Sequence, residues 1–396
     1  MATIIHISDL HLSEELLSSK SEELKFKHRY GHDIRSFKAL DNFLRKEDWD
    51  ILVVTGDISR IGNKSSFLLA RNWLENEFDD SDMNVGLNLS KMKSKSYVIV
   101  PGNHDRFNGG VAQKNLDNYY QQFGPKIESD TAVDVQVDGV SIRFHLFDST
   151  IENGDFGTGE IEEKDLVERD FCGADVNLAL LHHHFIQPPN HEREYGSELL
   201  NSHDVAAYMV AAGFDGVLFG HTHKSYLERH SYEVLKKIVA DQRKAKGFMD
   251  RVKRRIVKFP IIKKLNFAFE HNKEGSCLVS YKREKAKNGQ YPNMASYFDY
   301  LFLKGKGFDL AGPEAFNSVK GFYDQMERIS SDEKIAPIMT NANKKKVLVS
   351  LAPSPCQDEV VRKGFHKICI DKDGDGISYR LERFEFDNVN FVMVNL

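Results

Sequence analysis

Five short polar motifs, each placed directly after an apolar run of strand length, constrain this chain more than any bulk property does. They are Asp9-Leu10-His11, Gly56-Asp57, Gly102-Asn103-His104-Asp105, His182-His183-His184 and Gly220-His221-Thr222-His223. A polar side chain that follows a buried strand is delivered to the carboxyl edge of a sheet, where layered α/β proteins bind their ligands. The runs are Ile4–Ile7, Ile51–Val54, Tyr97–Val100, Asn177–Leu181 and Gly216–Phe219. Between them, Asp33–Arg45, Ser65–Glu77 and the stretch from about His203 to Ala212 carry apolar residues at helical spacing. Val133–Val137 and Ser141–Phe147 alternate around Asp138-Gly139, a hairpin signal. Strands alternating with helices predict an α/β layered domain.

The donors in the motifs narrow the chemistry. Carboxylates mixed with imidazoles suit Mn, Fe or Zn, whereas Mg or Ca alone prefers oxygen throughout. Asp9, His11, Asp57, Asn103, His182, His221 and His223 are too many for one ion and suit two, with one carboxylate bridging. Gly56, Gly102 and Gly220 are expected to let the backbone turn sharply. In Gly-His-Thr-His, alternate residues of an extended segment share a side, so His221 converges with His223, and the same alternation brings Asp9 to His11.

In this order and spacing, DLHLS, GDIS, GNHD, a strand-end histidine and GHTH over residues 1–225 resemble the calcineurin-like metallophosphoesterase superfamily. The resemblance implies a four-layer α/β/β/α sandwich with two mixed sheets. It implies two divalent transition metal ions, with Mn favoured among Mn, Fe and Zn. Asp9, His11 and His223 would hold one ion, Asn103, His182 and His221 the other, and Asp57 would bridge. A hydroxide between the ions would attack phosphorus in line. His104 would stabilise the transition state or protonate the leaving oxygen, with Asp105 orienting it through its other ring nitrogen. The family usually shows His-His-Pro-Pro, but here three histidines run together and the prolines wait until Pro188-Pro189. His182 is the favoured ligand, His183 the next, and His184 a group nearer the substrate.

Other polar residues read as ordinary. His28, His32, His145, His191 and His203 are expected at the surface or in the core, and Arg193 and Tyr195 on a surface loop. Asp371-Lys372-Asp373-Gly374-Asp375-Gly376, with Glu382 six residues on, fits a calcium-loop pattern. It lies between alternating runs rather than helices, so a β-turn is the better reading.

The net charge of −5 hides an asymmetry. Lys224–Lys346 holds 27 Lys and Arg against 14 Asp and Glu, a balance of +13 that leaves −18 for the rest. The expected organisation is 1–224 as the first part of the phosphoesterase domain, 225–345 as a basic, mainly helical insertion or cap, and 346–396 as strands completing the domain. An anionic partner such as nucleic acid or lipid is the rival reading of the basic block. Four widely spaced cysteines, Cys172, Cys277, Cys356 and Cys369, form no metal-type pair and suggest a reducing compartment. No apolar run of about 18 residues offers a membrane span, and the start of the chain reads as a strand rather than a leader. The expected location is therefore cytoplasmic. The expected activity is hydrolysis of a phosphate ester, a phosphodiester first, with a nucleotide as a candidate. A nuclease of the same superfamily and a non-catalytic scaffold are the alternatives.

Overall fold

The computed structural model describes residues 1–13, 33–76, 78–80, 83–106, 116–150, 159–166, 169–186, 199, 202–231, 233–235, 345–356, 362–374 and 376–395. Two six-stranded mixed sheets lie face to face. The first has the order β14-β13-β12-β1-β2-β5 and the second β10-β11-β9-β8-β7-β6. The strands are β1 (Ala2–Ile7), β2 (Ile51–Thr55), β5 (Ser96–Val100), β6 (Ala132–Val137), β7 (Val140–Leu146), β8 (Val176–Leu180), β9 (Gly216–Phe219), β10 (Tyr226–Ser231), β11 (Lys346–Leu351), β12 (Gly364–Asp373), β13 (Gly376–Phe386) and β14 (Phe391–Val394). β3 (Phe78–Asp80) and β4 (Met83–Val85) form a separate small hairpin.

The period of two along each strand sorts the core. In β1, Ile5 and Ile7 face the helices α1 (Ile34–Lys46) and α2 (Lys64–Glu75), packing with Phe37, Leu40, Phe67 and Trp73. Ala2 and Ile4 face the other sheet and join Val53, Val100, Phe144, Leu178, Leu218, Leu348 and Ile368 in a second core between the sheets. A short helix, α3 (Asp117–Phe123), closes against α2 through Tyr119 on Phe67. Helix α4 (Ser202–Ala212) lies beside the second sheet, with Tyr208 against Phe147 and Phe214. Helices α1 and α2 start from side-chain caps, Asp33 accepting from Arg35 N and Asn63 from Ser66 N. Two stacked mixed sheets with helices against them agree with the sandwich that the resemblance implies.

β1, β2 and β5 run parallel, as do β7, β8, β9 and β11. The carboxyl ends that carry the polar motifs therefore gather at one edge of each sheet. β11 enters the second sheet between β10 and β9, and β12 pairs β1 in the first. Tyr226–Ser231 is itself a strand of the second sheet, so a segment that leaves the sandwich starts after Ser231 rather than at residue 225. Its expected helices lie outside the described residues, as do His28, His32, His191, Arg193 and Tyr195. The Asp371–Gly376 turn joins two antiparallel strands, with Asp373 opposite Gly376. No helix among the described residues is long and apolar enough to cross a membrane.

Candidate metal centre

Each motif begins where its strand stops. Asp9 and His11 follow β1, Asp57 follows β2, Asn103 and His104 follow β5, His182 follows β8, and His221 and His223 follow β9. The convergence does not come from extended backbone. Asp9 (φ 57°), His11 (φ 46°), Asp57 (φ 50°), His221 (φ 75°) and His223 (φ 55°) all adopt the left-handed conformation. Non-glycine residues pay for that conformation, and they hold it only where the surroundings fix them. Here, Asp9 N–H donates to Gly56 O at 3.1 Å, His11 N–H to Asp57 O at 2.8 Å, and His221 N–H to Asp9 Oδ2 at 2.9 Å.

The glycines divide by role. Gly56 turns, with φ +89°, whereas Gly102 and Gly220 serve close approach. A Cβ on Gly102 would lie 2.1 Å from Asp57 Oδ1, and one on Gly220 1.7 Å from Ser8 Oγ. The sharp-turn expectation therefore holds for Gly56 alone.

All seven expected donors come together. On one side, Asp9 Oδ1 is 3.0 Å from His223 Nε2 and 3.8 Å from His11 Nε2. On the other, His182 Nε2 is 3.0 Å from Asn103 Oδ1 and 3.1 Å from His221 Nδ1. Asp57 Oδ2 touches both groups, 3.7 Å from His11 Nε2 and 3.4 Å from His182 Nε2. Asp9, His11, Asp57 and His182 are each 2% exposed or less. Two donors bound at right angles to one ion about 2.1 Å away sit about 3 Å apart, so these spacings suit donors sharing an ion.

Hydrogen bonding tests the fit independently. Thr55 O lies 2.7 Å from His182 Nδ1, and a carbonyl only accepts, so Nδ1 carries the proton. The neutral ring then turns its Nε2 lone pair toward Asn103 Oδ1 and Asp57 Oδ2, which are acceptors too. Such a cluster needs a positive charge at its centre. His221 Nε2, buried and without a hydrogen-bond partner, adds another unmet nitrogen.

The ionisation equilibria agree. Burial works to lower the His182 pKa, but the Asp57 carboxylate outweighs it and lifts His182 to about 9. Burial would likewise raise Asp57, yet His182 and His104 pull it well below the usual carboxylate range. Asp9 is held at about 2 because His223 overcomes its burial. His221 is driven well down by burial and then by His183 and His182.

His104 and Asp105 are arranged differently from expectation. His104 N–H donates to Asp57 Oδ1 at 2.8 Å, its Nδ1 meets Arg60 O at 2.8 Å, and its ring stands edge-on to His11. The Arg60 carbonyl, not Asp105, therefore fixes that nitrogen. Asp105 is fully buried and accepts backbone N–H groups from Ser59 and Gly102 at 2.9 Å and Ile58 at 3.3 Å. It ties the loop after β2 to the loop after β5, and burial pushes its pKa up to about 7.

His183 and His184 are buried beside the donors, and His145 is a core residue bonded to Asn177. Sequence reasoning missed Thr55 and Ser149. Ser149 Oγ sits 3.0 Å from His183 Nδ1 in a loop after β7 that carries no motif. A lone hydroxyl at a strand end gives no sequence signal by itself.

Taken together, the fold and the gathered donors define a metal-dependent phosphoester hydrolase. The calcineurin-like phosphoesterase family model matches residues 2–225, and the chain belongs to that family. No curated protein matches the sequence. Among solved structures, the chain is similar to one described as "GAP50 the anchor in the inner membrane complex of Plasmodium". The two are 13% identical over 57% of this chain and 67% of that one, with a TM-score of 0.32.

Proposed function

We propose that this metallophosphoesterase is a phosphodiesterase working with two divalent ions, Mn favoured over Fe and Zn. The carrying observation is Asp57, a single carboxylate whose Oδ2 faces donors on both sides at 3.4 and 3.7 Å. Asp9, His11 and His223 would hold one ion, Asn103, His182 and His221 the other, and Asp57 both. When bound, such a pair supplies a water acidic enough to act as nucleophile near neutral pH and offsets the phosphoryl charge.

The chain's own residues do the rest. Arg60 O accepts a hydrogen bond from His104 Nδ1–H, which leaves Nε2 as the atom that moves a proton. As imidazolium, His104 donates from Nε2 to the leaving oxygen; as imidazole, it accepts there. Its backbone N–H holds Asp57 Oδ1, so ligand and proton donor are fixed by one loop. Asp105 secures that loop and acts by positioning rather than by contact with substrate.

Diesters are favoured because the GNHD and GHTH motifs resemble the cyclic-nucleotide phosphodiesterase branch. The balance of +13 over residues 224–346 favours a second reading, a nuclease whose basic segment attracts backbone phosphates. We place residues 232–345 as an insertion or cap, with 346–396 completing the domain begun by 1–231. The described cysteines are free thiols, which fits the cytoplasmic location expected from the sequence. Metal-reconstituted protein should hydrolyse bis(p-nitrophenyl) phosphate and cyclic nucleotides faster than phosphomonoesters. Faster cleavage of labelled DNA, lost on reversing Lys253, Arg254 and Arg255 to Glu, would favour the nuclease. Turnover of monoesters alone would overturn both.

A further inference from the structure

Two consecutive residues hold the loop after β5 from opposite sides. Asp105 ties it to the loop after β2, within the first sheet. Arg106 reaches the other way, to the loop after β7 in the second sheet. No step of the hydrolysis uses this second tie.

The guanidinium works as a fork. Arg106 Nε donates to Thr150 Oγ1 at 2.9 Å and Nη2 donates to Asp148 Oδ2 at 3.1 Å. Thr150 in turn gives its hydroxyl proton to Asp148 Oδ1 at 2.6 Å and its N–H to the same oxygen at 2.8 Å. The hydroxyl therefore accepts from the arginine and donates to the carboxylate, which closes a triangle in which each group is placed by the other two. The Arg106 and Asp148 side chains are 14% and 18% exposed and Thr150 is buried, so water screens this pair less than a surface one.

Both ends of the triangle lead to expected ligands. Between Asp148 and Thr150 lies Ser149, whose Oγ accepts the backbone N–H of His182 at 3.2 Å and that of His183 at 3.1 Å. At the other end, Arg106 N–H donates to Asn103 O at 3.3 Å. The route from Asn103 through Arg106, Asp148 and Ser149 thus ends at His182, and Asn103 Oδ1 is 3.0 Å from His182 Nε2. The other half of the centre is held differently. Asp9 N–H and His11 N–H donate to Gly56 O and Asp57 O, and Ser354 Oγ donates to Asp9 O at 2.8 Å. None of these bonds passes through Arg106.

We propose that Arg106, with Asp148 and Thr150, is a positioning group that sets the spacing of Asn103 and His182. It thereby tunes the ion those two would share, and not the one on Asp9, His11 and His223. This rests on the two-ion reading of the site. With the tie cut, Asp105 still anchors the loop to the first sheet, so Asn103 shifts against His182 while the rest of the centre stays in place. Lysine cannot replace the arginine fully, because an ammonium is a point charge without a second arm at a fixed angle.

The test is titration of the metal-free full chain with Mn, the free ion being read by electron paramagnetic resonance. Wild type should take up two ions. Asn103→Ala and His11→Ala, each removing one uptake step, assign the steps to the two halves. Arg106→Met and Thr150→Val should each raise the Kd of the Asn103 step by roughly tenfold or more, the scale for losing a group that holds a metal ligand in place, and leave the His11 step unchanged. Arg106→Lys should fall between, and Thr150→Ser, which keeps the hydroxyl, should bind both ions as wild type does. Thr150→Val keeps the side-chain volume, so it decides the matter even if Arg106→Met fails to fold. Equal weakening of both steps in Thr150→Val, or of neither, would overturn the positioning role while two ions in the wild type upheld the metal reading. A wild type that took up a single ion would overturn both.

Discussion

His6 and His366 are enclosed as completely as His182, and like it they lie where the two sheets meet. The two groups of imidazoles differ in what surrounds them. His6 Nδ1 meets Ser350 Oγ at 2.7 Å and its Nε2 meets Thr55 Oγ1 at 2.9 Å; His366 is held by Ser350 and Ser225, both at 2.9 Å. A hydroxyl both donates and accepts, so each of these rings is satisfied while neutral. Burial drives both downward, His366 to about 3 with help from Arg383. Around His182 the oxygen neighbours, Thr55 O, Asn103 Oδ1 and Asp57 Oδ2, only accept, and the ring is lifted to about 9 against its burial. Depth does not separate a structural histidine from a ligand. The neighbours do: hydroxyls settle a buried imidazole, and acceptor-only oxygens leave it needing a cation.

The largest effect that could break this contrast belongs to Asp57. Asp57→Asn should lower kcat on the order of 10³-fold, the scale for losing charge placed to stabilise a transition state, and should shed at least one ion. His366→Ala should leave the metal content at two. An Asp57→Asn enzyme of normal turnover, or a His366 variant that loses metal, would erase the distinction. Next comes stability. His366→Ala takes a partner from buried Ser350 and half-buried Ser225 and should cost roughly 2 kcal/mol, read from urea unfolding of the metal-free protein. His182→Ala in the same metal-free protein removes a ring whose oxygen neighbours only accept and should cost less.

The pH dependence sharpens the contrast further, because the two groups have opposite signs. His366 titrates near 6.5 unfolded and about 3 folded, so the unfolded chain binds the proton first. Its stabilisation is complete above pH 6.5 and is lost as the pH falls toward 3, at up to about 1.4 kcal/mol per unit. His182 titrates at about 9 in the metal-free fold. Its stabilisation is complete below pH 6.5 and is lost as the pH rises through 9. Urea midpoints from pH 4 to 9.5 for the wild type, His366→Asn and His182→Asn should show the acid slope reduced by the first change and the alkaline slope by the second, with His6 and His223 carrying the remainder. Added Mn should reverse the alkaline slope, because the ion needs the deprotonated ring.

The contrast also marks how far the sequence could be read. Each of the seven residues that meet sits in a recognisable motif at the end of an apolar run, so these seven were visible without coordinates, while the two-sheet frame was implied by the family resemblance those motifs carry. His6 and His366 were not, because a histidine inside a strand such as Ala2–Ile7 looks like any polar residue on a half-buried face. Their partners arrive from Ser350 and Thr55, and pairing across strands far apart in the chain leaves no local pattern. The same limit hid Ser149 and the Arg60 carbonyl. It also hid the backbone: alternation suggested an extended Gly-His-Thr-His, whereas hydrogen bonds from distant loops hold His221 and His223 left-handed. Spacing revealed which atoms meet, but not the conformation that brings them together.

The smallest expected effect concerns calcium at Asp371–Gly376, where carboxylates cluster at the surface. Asp373 pairs with Gly376 across a tight hairpin, with Gly374 at φ +59° as the turn requires. Lys372 is already bonded to Asp175 at 2.8 Å, and Glu382 to Arg380 at 2.9 Å. Glu382 lies opposite Lys367, six residues along a straight strand from Gly376 and so about 20 Å from the turn. A calcium loop needs that glutamate folded back onto the ion, and the strand pairing prevents it. Millimolar calcium should therefore move the Tm by less than about 0.5 °C, while Mn at 100 times its Kd should add about 2.7 kcal/mol through binding the folded state alone. A calcium shift matching that of Mn would mean that exposed carboxylates can gather an ion as the buried ones do, and would remove enclosure by acceptor-only neighbours as the feature that marks the centre.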